Sequence, residues 1–314
     1  MSSEGEGGFH MADVSLITSG PRRAMLRTDD DVPIEAVYEP SRAAVTDTAD
    51  TGTADTGTAD TGTADTGTAD TGTADTGTDA GTDPGAAVTR TAATAVVLAH
   101  GFTGSVDRPA VRRAARVFAE RGAAVVTFSF RGHGRSGGLS TVGDREVLDL
   151  AAAVRWAREL GHARVATVGF SMGGSVVLRH AALDRGTRGS ADAVAAVSAP
   201  ARWYYRGTAS MRRVHWVVTR PAGRLVGRYG FRTRIDRRGW DPVPLSPVEA
   251  VPLIAPTPLL IVHGDRDAYF PLDHPRMLAG AGEAELWLER GMGHAENAAD
   301  DDLLARLGDW LTRA

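Results

Sequence analysis

The chain of 314 residues contains no cysteine and no lysine. The absence of cysteine excludes disulfide bonds, cysteine metal ligands and a cysteine nucleophile. No apolar run approaches the length of about 18 residues that a membrane-spanning helix needs, and residues 1–40 lack the basic and apolar regions of a secretion signal. We therefore expect a cytoplasmic protein without a transmembrane segment. The net charge of −4 is too small to indicate a class of partner.

An acidic low-complexity segment interrupts the N-terminal part of the chain. Residues 48–77 are six copies of Thr-Ala-Asp-Thr-Gly, and residues 41–93 contain nine Asp and two Arg, a net charge of −7. The repeat has no large apolar residue to fill a β-solenoid, so we predict a disordered insertion over 41–93. Residues 1–40 are predicted to be a loose tail followed by an edge hairpin, with an acidic turn at Asp29 to Asp31.

From residue 94 onward, apolar runs alternate with amphipathic helical patterns. Ala95 to Ala99 and Ala123 to Phe128 are typical of strands that are buried on both faces of a parallel sheet. The alternation predicts an α/β fold, a mostly parallel sheet covered by helices on both faces, with its core in residues 94–198 and 257–314. The other predicted elements are helices at 109–121, at about 143–160 and near the C-terminus, and strands at 165–168, 193–197, 259–263 and 284–288.

The most informative segment runs from Arg164 to Ala182 and predicts a strand, a sharp turn and a helix. The turn contains Gly169-Phe170-Ser171-Met172-Gly173. A serine on such a turn has its hydroxyl lifted clear of the sheet, and glycines two residues away on either side allow the two backbone arms to approach. The N–H of Met172 would lie at a helix N-terminus, where a developing oxyanion is stabilised.

Four motifs, each after a predicted strand, resemble those of the α/β-hydrolases with a serine nucleophile. They are His100-Gly101-Phe102, Gly169 to Gly173, His263-Gly264-Asp265-Arg266-Asp267, and Gly291-Met292-Gly293-His294. The resemblance covers roughly residues 23–40 and 94–314 and is greatest to the monoacylglycerol-lipase and serine-aminopeptidase-like group. It implies an α/β-hydrolase fold with a cap insertion at residues 199–256, and it implies the family's chain order of nucleophile, acid and base.

The resemblance also implies a role for each site residue. Ser171 would be the nucleophile, His294 its general base and Asp267 the acid that orients the imidazole. The backbone N–H groups of Phe102 and Met172 would form the oxyanion hole. The family spacing favours Asp267 over Asp265, for which we expect a bond to loop backbone. Among the other histidines, His100, His133 and His263 are interpreted as loop supports.

The implied function is hydrolysis of a carboxylic ester or related acyl bond through an acyl-serine intermediate, without a metal or an organic cofactor. A thioesterase or a peptidase of the same fold is the nearest alternative. A non-catalytic protein that binds a ligand or a partner is an alternative of another class, because fold alone does not establish function. We expect a small-molecule acyl substrate and no nucleic acid, since no nucleic-acid-binding motif accompanies the basic residues.

The stretch between residues 198 and 258 is predicted to be long and largely irregular. Residues 201–240 contain eleven Arg and one acid, Asp236, with aromatic residues interleaved. One interpretation is a small helical lid whose aromatics pack on the pocket and whose arginines are solvated. A second is that the segment attracts an anionic group, such as a phospholipid headgroup, a coenzyme A thioester or a nucleic acid backbone. A third is that the acidic repeat shields the basic segment from within the same chain.

Overall fold

The computed structural model describes residues 21–42, 92–187 and 189–314, whose strands form one eight-stranded sheet. The strands are β1 Arg22–Arg27, β2 Pro33–Glu39, β3 Thr94–Ala99, β4 Ala124–Phe128, β5 Arg164–Phe170, β6 Ala193–Val197, β7 Leu259–Gly264 and β8 Glu285–Glu289. Their order across the sheet is β1-β2-β4-β3-β5-β6-β7-β8. Strands β3 to β8 pair in parallel, whereas β1 and β2 form an antiparallel hairpin at one edge.

Helices cover both faces of this sheet. The helices of the described residues are α1 Pro109–Glu120, α2 Glu146–Glu159, α3 Met172–Leu183, α4 Ala209–Thr219, α5 Pro221–Gly230, α6 Pro247–Ala250, α7 Asp273–Gly280, α8 Ala295–Ala298 and α9 Asp301–Arg313. Successive side chains of a strand point to opposite faces, and in β3 Val97 packs with the α2 and α3 residues while Val96 packs with those of α1 and α9. This arrangement confirms the predicted α/β-hydrolase type of fold, with a mostly parallel sheet between helices.

Outside the stretch between β6 and β7, helix α2 begins later than predicted, and the short helices α7 and α8 were not predicted. Helix α2 begins at Glu146 rather than near Gly143, because the Glu146 carboxylate accepts hydrogen bonds from the N–H groups of Thr141, Val142 and Gly143 and folds that loop around itself. The short helix α7 was not predicted at all. Its eight residues contain only three that are buried, so the apolar period is weak.

The stretch between β6 and β7 is more regular than predicted. It contains α4 and α5, which pack against each other, and the short α6. The prediction of a largely irregular stretch was wrong because the apolar period there does not mark a buried face. No residue of α4 is buried, and in α5 only Gly223 and Gly227 are. We call residues 199–256 the cap segment; its status as a separate unit stays a prediction.

A buried ion cluster fixes the loop after β4. The Arg131 guanidinium contacts the Asp149 carboxylate at 2.8 Å and that of Asp30 at 2.7 Å, and Asp149 also accepts the backbone N–H of Arg131. The side chains of Arg131 and Asp149 are almost completely buried. The cluster therefore connects α2, the loop after β4 and the turn of the edge hairpin, and Asp149 anchors α2 to that loop.

The predicted tail, the repeat and nearly all of the predicted disordered insertion lie outside the described residues. The division of the chain into hairpin, insertion, core and cap therefore stays a prediction. No helix in the part of the chain that the structure describes has both the length and the hydropathy needed to span a membrane.

Candidate active site

Ser171 lies on the sharp turn between β5 and α3, with backbone angles φ 53° and ψ −114°. Few residues other than glycine adopt a positive φ, and such strain is concentrated at functional sites. The turn requires small neighbours: a Cβ on Gly169 would lie 2.1 Å from the carbonyl oxygen of Gly173, and a Cβ on Gly173 would lie 2.3 Å from that of Ala99. The two glycines thus allow β5, α3 and β3 to approach closely enough to present Ser171 to the pocket.

The structure brings together the three residues predicted as the triad, which are up to 123 positions apart in the chain. His294 Nε2 lies 2.8 Å from Ser171 Oγ, and His294 Nδ1 lies 2.7 Å from Asp267 Oδ2. A carboxylate only accepts hydrogen bonds, so Nδ1 carries the proton and Nε2 accepts from the serine hydroxyl. Each residue follows the C-terminal end of a parallel strand, the edge at which open α/β sheets bind their ligands.

The Asp267 carboxylate is almost completely buried, with its side chain 1% exposed. Burial alone raises the pKa of Asp267, but the hydrogen bond and charge of His294 and the N–H groups of Phe270 and Tyr269 outweigh it, so the pKa lies below its usual range. The two N–H groups contact Oδ1 at 3.0 and 2.7 Å. Oδ1 thus holds the loop, and Oδ2 remains for His294.

The competing acid lies elsewhere. Asp265 is exposed and accepts the N–H of Gly291 at 2.6 Å, as the sequence predicts for a residue that supports the loop. His263 approaches Asp267 only to 3.6 Å, while its Nε2 hydrogen-bonds the carbonyl of Phe270 at 2.9 Å. Burial lowers the pKa of His263, which keeps it neutral. The geometry therefore pairs His294 with Asp267.

The remaining predicted loop supports are also buried and hydrogen-bonded to backbone. The His100 ring contacts the carbonyl of Gly101 and accepts the N–H of Phe130. Burial lowers the pKa of His100 to about 3. His133 contacts the carbonyl of Arg131 and accepts the N–H of Thr103. These two neutral imidazoles hold the loop after β3, which contains Phe102, against the loop after β4.

Phe102 and Met172, the residues predicted for the oxyanion hole, both line the pocket beside Ser171. Met172 is the first residue of α3, and the first N–H groups of a helix have no intrahelical acceptor. That N–H is therefore oriented toward an incoming anion at the positive end of the helix dipole. The role of both N–H groups as an oxyanion hole stays a prediction.

Two residues at the site were missed by the sequence reasoning. Glu296 is nearly buried, lines the pocket, and accepts the N–H of Gly101 at 3.3 Å, so a carboxylate holds the loop next to the serine. Tyr269 stacks on the His294 ring at a centroid distance of 4.1 Å. Their positions gave some signal, since each lies two residues from a predicted triad member, Asp267 or His294.

The site opens into a pocket of about 550 Å³, within the range that holds small organic ligands. Eight of the residues that line it are aromatic. The aromatic residues are Phe102, Trp203, Tyr204, Tyr205, Phe231, Trp240, Tyr269 and Phe270, and most of them belong to the cap segment. The indole N–H groups of Trp203 and Trp240 donate to the carbonyls of Pro244 and Thr141, which fixes both rings. The pocket wall thus suits an apolar group.

Charged residues lie at the cap side of the same pocket. Arg202 pairs with Asp273, and Arg238 pairs with Asp236. Within the described residues, neither Arg206 nor Arg213 forms an ion pair with a carboxylate. Over residues 21–42, 92–187 and 189–314 the structure contains no cluster of three or more His, Asp or Glu that could hold a metal ion.

Comparisons with known proteins agree with this architecture. A family model described as "alpha/beta hydrolase fold" matches residues 94–205. No curated protein sequence matches the chain significantly. Among solved structures, the esterase Pf2001 of Pyrococcus furiosus is 19% identical with a TM-score of 0.63, and the match covers 93% of this chain and 91% of that chain.

Two further structures are similar over most of their length. The alpha/beta hydrolase GrgF from Penicillium sp. sh18 is 17% identical with a TM-score of 0.62, and the match covers 93% of this chain and 98% of that one. XC6422 from Xanthomonas campestris, described as an a/b serine hydrolase without lid, is 18% identical with a TM-score of 0.54, covering 95% and 99%. At these identities the likeness establishes the fold.

Proposed function

Since the chain has the α/β-hydrolase fold, we propose that it is a serine hydrolase that cleaves a carboxylic ester or a related acyl bond. The comparisons support an esterase-like enzyme. The observation that carries the proposal is the hydrogen-bonded chain from Ser171 through His294 to Asp267. Such a chain activates a hydroxyl that is otherwise a weak nucleophile.

The proposed reaction begins when Ser171 Oγ attacks the substrate carbonyl carbon. As the new C–O bond forms, the hydroxyl proton passes to His294 Nε2, and the buried Asp267 carboxylate stabilises the resulting imidazolium through Nδ1. The carbonyl oxygen becomes an oxyanion, which the N–H groups of Phe102 and Met172 receive. One such donor typically lowers the barrier by about 3 kcal/mol.

The tetrahedral intermediate then collapses and the bond to the leaving group breaks. His294 gives its proton to the leaving oxygen, which departs as an alcohol and leaves an acyl ester on Ser171. Water then attacks the acyl carbon while its proton passes to His294. The bond to Ser171 Oγ breaks, His294 returns the proton to Oγ, and the carboxylic acid leaves. Every step uses groups that the described residues supply.

The pocket supports an acyl substrate with an apolar part. Its aromatic wall would bury that part, while Arg206 and Arg213 favour an anionic group at the cap side as a second candidate substrate. A thioester or an amide is open to the same mechanism, so a thioesterase and a peptidase stay alternatives. Membership of the monoacylglycerol-lipase and serine-aminopeptidase-like group is part of the proposal, as is the cytoplasmic location.

The test is hydrolysis of a panel of p-nitrophenyl esters, from acetyl to palmitoyl, by the wild type and by Ser171→Ala. We expect activity that the substitution abolishes and a chain-length preference that reports the pocket size. Labelling of the folded wild type by a fluorophosphonate, with none of Ser171→Ala, would show an activated serine even when no ester of the panel is a substrate. Folded wild type that neither hydrolyses nor labels would overturn the proposal in favour of a binding protein.

A further inference from the structure

The large apolar side chains of helix α5 face solvent. In an amphipathic helix this side is normally polar. Gly223 and Gly227 are its only buried residues. A Cβ on Gly223 would lie 2.2 Å from the carbonyl oxygen of Trp216, so this face packs closely on α4. Leu225 and Tyr229 are instead 57% and 75% exposed, and Val226 is exposed as well. A helix that merely covered the pocket would turn such side chains inward.

Exposed apolar side chains continue beyond α5. Trp216 on α4 and Phe231 directly after α5 are both exposed. We call Trp216, Leu225, Val226, Tyr229 and Phe231 the cap surface. Phe231 also lines the pocket, so the cap surface reaches the pocket opening. Several large apolar side chains exposed on one short helix and the residues next to it indicate a binding surface.

Arginines flank the cap surface. Arg224 and Arg228 are four residues apart, a spacing that places them along one side of α5, and Arg220 directly precedes the helix. Arg224 hydrogen-bonds the carbonyls of Val218 and Thr219. Among residues that the structure describes, none of these three arginines forms an ion pair with a carboxylate. The acid of this stretch, Asp236, is already paired with Arg238.

The Arg228 guanidinium lies 5.6 Å from the centre of the Tyr229 ring. Charge and apolar surface are therefore side by side on the same turn of α5, rather than on separate faces. Exposed arginines near the surface attract anions over a distance of about 8 Å at physiological salt. An occupant of the cap surface must then present negative charge and an apolar layer within a few ångströms of each other.

We propose that the cap surface docks on an anionic lipid surface. The helix would lie in the interface plane, with Leu225, Val226 and Tyr229 below the headgroups and the arginines among the phosphates. A nucleic acid backbone would use the arginines but gives aliphatic side chains such as Leu225 no partner. Docking is a property of the folded chain and does not depend on hydrolysis, so Ser171→Ala is expected to bind as the wild type does.

The experiment is co-sedimentation of the full chain with vesicles of equal parts phosphatidylcholine and phosphatidylglycerol, and with vesicles of phosphatidylcholine alone. We expect binding to the anionic vesicles that added salt weakens. The double variant Leu225→Gln/Tyr229→Gln should bind at least about tenfold more weakly, because it loses apolar surface from the interface. Arg228→Gln should bind about fivefold more weakly, the effect of one basic residue near an anionic membrane.

Matched controls distinguish an effect of the cap surface from an effect of exposed leucine or arginine residues elsewhere on the protein. Leu183, the last residue of α3, is 55% exposed at the end of that helix remote from Ser171, and Leu183→Gln should bind like the wild type. Arg112→Gln, on α1, should do the same. All changed side chains are exposed, so thermal unfolding should be unchanged in each variant and shows that the protein is folded.

Three results would overturn the proposal. The first is equal sedimentation with both kinds of vesicle, or with neither. The second is unchanged binding by Leu225→Gln/Tyr229→Gln. The third is a wild-type dimer in light scattering that this double variant converts to a monomer, because a second copy would then cover the cap surface.

Discussion

Replacing Asp267 by Asn tests the proposed site by changing only a few atoms. The amide oxygen can still accept the N–H groups of Tyr269 and Phe270, which contact Oδ1 in the wild type, so the loop should keep its conformation. The amide nitrogen then faces His294 Nδ1 in place of a carboxylate oxygen. A donor there forces Nδ1 to become the acceptor, and the ring proton moves to Nε2.

This tautomer places a proton between His294 Nε2 and Ser171 Oγ, which are 2.8 Å apart in the wild type. The imidazole can no longer accept the serine proton, and the charge that stabilises the imidazolium is lost as well. Serine proteases that lose the equivalent carboxylate in this way lose about 10⁴ in kcat. We expect a loss of about 10³ to 10⁴ in kcat/KM, which corresponds to about 4 to 5 kcal/mol of transition-state stabilisation.

The assay is steady-state hydrolysis of the best ester of the panel, and Asp265→Asn is the matched control. Asp265 lies two residues away and accepts the N–H of Gly291, a contact that an amide oxygen can also make. Its variant should keep kcat/KM within a few-fold of the wild type. The assignment of the acid would be wrong if Asp267→Asn kept a tenth or more of the activity, or if Asp265→Asn were the inactive variant.

Three further predictions concern stability. Arg131→Met leaves the buried Asp149 without a counter-charge and should cost about 3 to 5 kcal/mol in urea unfolding. Gly169→Ala would place a Cβ 2.1 Å from the Gly173 oxygen, and we expect a loss of about 2 kcal/mol or more together with the loss of fluorophosphonate labelling. The hydrogen bond from Arg131 lowers the pKa of Asp30 to about 2. The stability that Asp30 contributes is therefore complete above about pH 4 and lost as the pH falls to 2; Asp30→Asn should remove about 2 kcal/mol of this acid-dependent decline.

The controls for these variants are substitutions of the same residue types at sites where the side chain is exposed or has free space. Arg27→Gln breaks the exposed pair with Asp31 and should change the free energy of unfolding by less than about 1 kcal/mol. Gly280→Ala adds a Cβ with nothing within 4 Å and should be nearly neutral. An Arg131→Met variant as stable as Arg27→Gln would contradict the assignment of a buried ion cluster. Equal acid sensitivity of Asp30→Asn and the wild type would contradict the role given to Asp30.

The parts of the fold that could be predicted are those in which burial produces a clear pattern of apolar residues in the sequence. Strand β3 is buried at every position and apolar from Ala95 to Ala99 because it is covered on both faces, and helix α1 has one apolar side. Helix α5 could not be found in this way, since its buried positions are glycines and its large apolar residues face outward. The apolar side of a helix predicts its buried side only where the polar side of the helix faces water.

At the site, prediction succeeded where one residue type satisfies a local requirement. Gly169 and Gly173 are needed by the turn itself, so the position of Ser171 follows from a short segment. The pairing of Ser171 with His294 depends on the order of the strands across the sheet, which only the resemblance to a family implied. Glu296 and Tyr269 act through contacts with other loops, so their only signal in the sequence was a position two residues from His294 or Asp267.

The strand order has a consequence for how the chain could be divided. Ser171 precedes the cap segment, while Asp267 and His294 follow it, and within the sheet the two parts are joined where β6 pairs with β7. A cut within the cap segment would give one fragment with the nucleophile and another with its acid and base. Neither fragment holds the complete site, so activity from the mixture would report reassembly of the sheet along that one seam.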